Sequence, residues 1–149
     1  MIYEIMSRLE ASQATKIENA PDTAIISITD VGKEKNNFKQ VDWLKHIFEI
    51  QFDDVEAGKK NCITVSQAVD IADFVFHIKK DVERIIVHCE FGQSRSAGVA
   101  AAIRCYIEGN DGGILHNRRY NINRTCYRYV LKALRKRGRI LTRIIYKLR

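Results

Sequence analysis

The chain has 149 residues, of which 46% are hydrophobic and 29% charged, with a formal net charge of +7. That length suits one domain with a core large enough to need no disulfide or metal staple, and the composition excludes a disordered or collagen-like chain. No apolar run is long enough to span a membrane, and Glu4, Arg8 and Glu10 argue against a secretory signal, so the expected compartment is the cytoplasm.

Ala24 to Thr29 is a short apolar run closed by Asp30-Val31-Gly32 and reads as a buried strand followed by a turn. Residues 46–52 alternate, with Ile47, Ile50 and Phe52 facing a core, and read as a second strand. The polar stretch Asp53 to Asn61 is a loop. Thr64 with Gln67 forms a capping box, and Val65, Ala68, Val69, Ala72, Val75 and Phe76 repeat at helical spacing, which predicts a helix to about Lys80. Arg84 to His88 is another buried strand, and Ser96 to Glu108 an alanine-rich helix that Gly109 can end. Asn123 caps a last helix with Cys126, Tyr127, Val130, Leu131 and Leu134 inward; Gly138 is its expected end, with residues 139–149 as a further short helix. Strands and helices alternate, so the expected class is a single-domain α/β fold over residues 1–149, with a mainly parallel sheet flanked by helices.

Residues 118–149 hold 12 of the 25 basic residues and none of the 18 acidic ones. Because apolar and aromatic residues interleave with them, the basic stretch reads as the solvated face of a packed helix. Nucleic acid or anionic membrane binding is the less favoured reading. The four cysteines, Cys62, Cys89, Cys105 and Cys126, lack metal-ligand spacing and are expected to be free thiols, with Cys105 and Cys126 in the core.

The chemistry lies in His88-Cys89-Glu90-Phe91-Gly92-Gln93-Ser94-Arg95-Ser96, which joins a buried strand to a helix. A strand delivers Cys89 to the edge of the sheet, Gly92 permits a tight turn, and a helix starts directly behind. Convergent N–H groups at a helix N-terminus bind anions, and the planar fork of an arginine at position 95 matches two phosphate oxygens. The same positive field favours a thiolate at the floor of the cup. Glu90, Phe91, Gly92, Gln93 and Ser94 would then line the phosphate site. Phe91 reads equally as a rim residue or a core aromatic.

This segment resembles the signature loop of the cysteine-dependent protein tyrosine phosphatases, in particular the small dual-specificity-like group with compact bacterial members. The resemblance is strongest over residues 84–108. It implies a central, mainly parallel sheet and phosphomonoester hydrolysis without a metal or other cofactor. Cys89 would be the nucleophile that becomes a phosphocysteine, and Arg95 would bind phosphate and the transition state. Ser96 would assist the departing thiolate, and His88 would order the loop and tune the thiol. The implied partner is a phosphorylated protein.

The family also uses an aspartic acid some thirty residues before the cysteine to protonate the leaving oxygen. Asp54 and Asp53 lie 35 and 36 residues before Cys89, at the end of a strand. Strand register favours Asp54, with Asp53 the alternative and Asp30 next. The favoured substrate is phosphotyrosine, with phosphoserine or phosphothreonine secondary. An RNA 5′-phosphatase, a phosphoinositide phosphatase and a catalytically silent phosphate-binding module are the competing readings. Glu90 disfavours polyanionic substrates.

Overall fold

A computed structural model of the chain describes residues 1–148. Four strands form one parallel sheet in the order β1-β4-β2-β3. They are β1 (Ile2–Ser7), β2 (Thr23–Thr29), β3 (Leu44–Gln51) and β4 (Arg84–Cys89). The helices are α1 (Arg8–Ala14), α2 (Val65–Ile78), α3 (Arg95–Glu108) and α4 (Arg124–Lys147), with a 3-10 turn at Ile114–His116.

The central strands β2 and β4 are buried along their whole lengths, which is why both read as continuous apolar runs rather than alternating ones. Their side chains still divide by parity. Ala24, Ile26, Ile28, Ile85, Val87 and Cys89 face the large core beneath α2, α3 and α4. Ile25 and Ile86 face a smaller cluster with Ala11 and Ala14 of α1 and with Phe38. Each fully buried isoleucine stabilises the fold by roughly 1.5–3 kcal/mol relative to exposure.

Periodicity in the sequence does not reveal β1 and α1. As an edge strand β1 is only partly buried and carries Glu4, so its pattern is weak. Its junction with α1 nevertheless bears a capping box, in which Ser7 Oγ accepts from Glu10 N–H and Glu10 accepts from Ser7 N–H. The predicted box at Thr64 and Gln67 is present, and α2 ends at Ile78, two residues before the expected boundary. Gly109 closes α3 at φ 79°, in the left-handed region a glycine occupies without penalty.

The expected break at Gly138 is absent: α4 runs through it to Lys147 as one helix of 24 residues. A Cβ at Gly138 would lie 2.2 Å from the Tyr106 hydroxyl, so the glycine serves close contact between α4 and the end of α3 rather than termination.

Helices α2, α3 and α4 all start at the sheet edge where β3 and β4 end. Gln67 Nε2 donates to the Gln51 carbonyl (2.8 Å), α3 follows β4 after five residues, and Asn123 N–H donates to the Ser94 carbonyl (3.3 Å). The three helices meet again at the opposite edge, where Arg137 pairs with Asp73 (2.8 Å) and Gly138 meets Tyr106. Among the described residues no helix is long and apolar enough to cross a membrane.

Candidate active site

The strand β4 ends at Cys89, and residues 90–94 turn back so that α3 begins at Arg95. Gly92 is required twice at this turn. Its φ is 67°, and a Cβ there would sit 2.5 Å from backbone atoms of Met6 and Ser7. The β1 backbone thus abuts the loop, and Arg8 N–H donates to the Glu90 carbonyl (3.2 Å). Ser94, at the N-cap of α3, makes no side-chain cap bond, so its hydroxyl leaves the first-turn N–H groups of α3 uncapped.

Cys89 is 3% exposed, and its Sγ lies 3.0 Å from Ser96 Oγ. Arg95 is also buried. Its Nη1 meets the Asp30 carboxylate (2.7 Å) and donates to the Phe52 carbonyl (2.6 Å), whereas its buried Nε has no partner among the described residues. One end of the guanidinium is therefore locked by β2 and β3 termini while another donor is unspent.

His88 points to the opposite face of the sheet from Cys89 and is fully buried, edge-on to Phe38. Burial pushes the imidazole down to about 4, so the ring is neutral at pH 7. A tautomer protonated on Nδ1 fits both contacts, with Nδ1–H toward the Cys89 carbonyl (3.5 Å) and Nε2 accepting from Ser27 Oγ (2.7 Å). His88 thus ties β4 to β2 just behind the loop. It brings no positive charge to the loop.

The two aspartates that follow β3 have different surroundings. Asp53 Oδ1 accepts from Val31 N–H (3.0 Å) and Oδ2 from Asn61 Nδ2 (2.9 Å). These bonds, the Asn61 amide first, hold its carboxyl below the usual range. Asp54 is exposed, and its Oδ1 accepts from Ser94 Oγ (2.7 Å) and Asn123 Nδ2 (3.0 Å), which brings it onto the rim of the cup.

The segment carrying Asp54 is anchored on α4. Glu56 accepts from the N–H groups of Arg124 and Thr125 (both 3.2 Å) and from the Thr125 hydroxyl, which chiefly accounts for the lowered Glu56 carboxyl. Asn123 caps α4 through its Oδ1 (3.0 Å to Cys126 N–H) while its amide reaches Asp54. Beyond Asp54, a cleft of about 460 Å³ is lined by Asp30, Val31, Lys33, Asp53, Asp54, Glu90, Phe91 and Arg95. Phe91 is 78% exposed and is a rim residue, not a core aromatic.

The parallel sheet with its flanking helices is similar to that of several solved structures. Human DUSP28 superposes with a TM-score of 0.60 at 11% identity, covering 91% of this chain and 93% of that one. PTPMT1 gives 0.57 at 11% identity over 95% of both chains, and Tk-PTP in its active form 0.52 at 17% identity over 91% and 90%. The chain has the fold of the small, dual-specificity-type tyrosine phosphatases. No protein-family model matches the sequence, and no curated protein matches it either. The likeness to these phosphatases is therefore one of fold.

Within this phosphatase fold the structure gathers Cys89, Glu90, Phe91, Gly92, Gln93, Ser94, Arg95, Ser96 and Asp54 at one edge of the sheet, with His88 behind it. Sequence reasoning missed Ser27, Glu56, Asn123 and the Phe52 carbonyl, and took Asp30 only as a distant acid candidate, not as the partner of Arg95. Only the Asn123 cap had a local signal, and none pointed to Asp54. All four cysteines are free. Burial pushes the Cys126 and Cys62 thiols up, and Cys62 is turned toward the Ile63 carbonyl (3.3 Å). Among the described residues no group of three His, Cys, Asp or Glu side chains could hold a metal.

Proposed function

We propose that the protein is a cysteine-dependent phosphatase that hydrolyses phosphotyrosine in proteins, with phosphoserine and phosphothreonine as secondary substrates, in a reducing cytoplasm. The observation that carries this reading is the contact of Cys89 Sγ with Ser96 Oγ at 3.0 Å, on the floor of a loop whose arginine keeps a buried, unspent N–H.

In the first step the Cys89 thiolate attacks phosphorus while the bond to the leaving oxygen breaks and Asp54 delivers a proton to that oxygen. Arg95 and the first-turn N–H groups of α3 hold the equatorial oxygens, whose charge they neutralise most closely in the trigonal-bipyramidal transition state. In the second step Asp54, now a carboxylate, takes a proton from water as the water oxygen bonds to phosphorus. The phosphorus–sulfur bond breaks, inorganic phosphate leaves, and the Ser96 hydroxyl donates to the departing thiolate. Asp53 suits this cycle less, because both of its carboxylate oxygens are engaged, by Val31 and Asn61, whereas Asp54 is engaged through Oδ1 alone among the described residues.

The acidic rim bears on substrate. Asp30, Asp53, Asp54 and Glu90 line the mouth against Lys33 and Arg95, and Lys33 is engaged by Asp30 (3.2 Å). Such a rim repels RNA ends and polyphosphorylated inositides more than a single phosphate on a peptide. The intact Cys89, Arg95 and Ser96 weigh against a silent binding module.

The test is hydrolysis of p-nitrophenyl phosphate by wild type and Cys89→Ser, followed by a panel of phosphotyrosine, phosphoserine and phosphoinositide substrates. Wild-type turnover that vanishes in the variant, with phosphotyrosine peptides preferred, supports the proposal. Residual activity above about a hundredth of wild type would sink the covalent route.

A further inference from the structure

The far half of α4 is not accounted for by the phosphatase reading. The inward residues Val130, Leu131 and Leu134 are buried against α2 and α3. α3 ends two residues after Tyr106, which meets Gly138, and α2 five residues after Asp73, which pairs with Arg137, while α4 continues for nine residues past Gly138, about 14 Å at 1.5 Å per residue. Leu141 is half-buried there, but most of the apolar side chains are uncovered: Ile140, Ile144, Ile145 and Leu148 are exposed, Leu148 by 81%, as is Tyr146 by 74%. The expectation of a helix packed along its apolar face therefore holds only for the first half.

The charges around this projection are of one sign. Arg135, Arg139 and Arg143 share a groove beside Tyr106, and Lys79 and Lys80 at the end of α2 border the groove that holds Leu141 and Ile145. The acid next to them, Asp73, is engaged by Arg137. No acidic residue occurs in 118–149. A basic collar with isoleucines, leucine and tyrosine beyond it matches the interface of an anionic bilayer, where cationic side chains meet headgroups and apolar ones enter the acyl boundary. RNA would use the arginines and a stacking aromatic but has no use for four exposed aliphatic side chains.

We propose that the projecting end of α4, residues 139–148, docks the protein on the surface of an anionic lipid bilayer. The site is not a spanning segment. Because α4 begins at the Asp54 edge and the projection lies at the opposite edge of the sheet, the catalytic cleft faces away from the bilayer. The lipid is thus the anchor, and the substrate is reached from the aqueous side.

The experiment is co-sedimentation of the full chain with vesicles of equal parts phosphatidylcholine and phosphatidylglycerol, against phosphatidylcholine alone. The expected result is binding to the anionic vesicles that weakens with salt, and little binding to the neutral ones. Arg139→Gln with Arg143→Gln should weaken binding about 25-fold, at a factor of about five per basic residue near the surface. Ile140→Ser with Ile144→Ser changes side chains already exposed, so the fold should be unaffected by circular dichroism. That pair should weaken binding by roughly tenfold or more, because apolar area no longer leaves water. Three results would each overturn the proposal: no preference for anionic vesicles, unchanged binding by the isoleucine pair, or dimerisation through this face that excludes vesicles. Tight RNA binding indifferent to the isoleucine pair, together with weak vesicle binding, would overturn it equally.

Discussion

Replacing His88 by asparagine tests whether this ring acts as a buried neutral strut. In the folded chain the imidazole is pushed from its ordinary 6.5 to about 4 by burial. A base whose folded value is depressed takes up a proton on unfolding at mildly acidic pH. Its contribution is fully present above about pH 6.5 and is lost as pH falls toward about 4. The whole difference is worth about 3 kcal/mol at about 1.4 kcal/mol per tenfold change in proton affinity. About 2 kcal/mol of it should be gone by about pH 5, on the same linkage relation. The lowered carboxyls of Glu10, Asp53 and Glu56 lose their own contributions mainly at more acidic pH, so the range from about 5 to 6.5 isolates the histidine. The assay is urea unfolding at a series of pH values. His88→Asn should be less stable at pH 7, having lost the fitted ring and its bond from Ser27, yet its stability should be nearly flat over this range. Wild type should fall by about one proton's slope. An unchanged slope in the variant would show that the imidazole titrates alike in the folded and the unfolded chain, and the neutral strut between β4 and β2 would be refuted.

At the acid, Asp54→Asn should lose roughly 10²–10⁴ in kcat/KM on phosphotyrosine peptides, less on aryl phosphates with good leaving groups, and should flatten the basic limb of the pH profile. Asp53→Asn should keep that limb; the reverse outcome exchanges their roles. Arg95→Lys retains charge but not the fork that spans Asp30, the Phe52 carbonyl and phosphate, so steady-state kinetics should show both kcat and KM impaired, and near-normal values would remove it from the site. Glu56→Ala should destabilise the fold by about 0.5–2 kcal/mol, as loss of a helix cap does, and should lower kcat on phosphotyrosine by unseating the Asp54 segment. Gly138→Ala should destabilise despite the usual gain of about 1 kcal/mol for alanine in a helix, because its Cβ meets the Tyr106 hydroxyl. In a Tyr106→Phe background the same change should lose most of its penalty in thermal denaturation.

The local elements of this protein were legible in its sequence where one residue and its near neighbours decide them. The continuous apolar runs of β2 and β4, the capping box at Thr64 and the turn from Cys89 to Arg95 depend on backbone preference and periodicity, which act over a few residues. What only the tertiary structure decided are relations between residues far apart in the chain. Asp30 grips Arg95, Ser27 meets His88, and Asn123 and Glu56 hold the Asp54 segment because the parallel sheet brings strand ends and helix N-termini to one edge. The surroundings of Asp53 and Asp54 are of this kind: two adjacent carboxylates are alike in sequence, and the fold gives them different hydrogen-bond donors, Val31 and Asn61 for one, Ser94 and Asn123 for the other. Gly138 shows the same limit. A glycine in a helical pattern signals an end when only its backbone is considered, whereas in this fold the missing Cβ makes room for Tyr106 and lets α4 run on past the body of the domain.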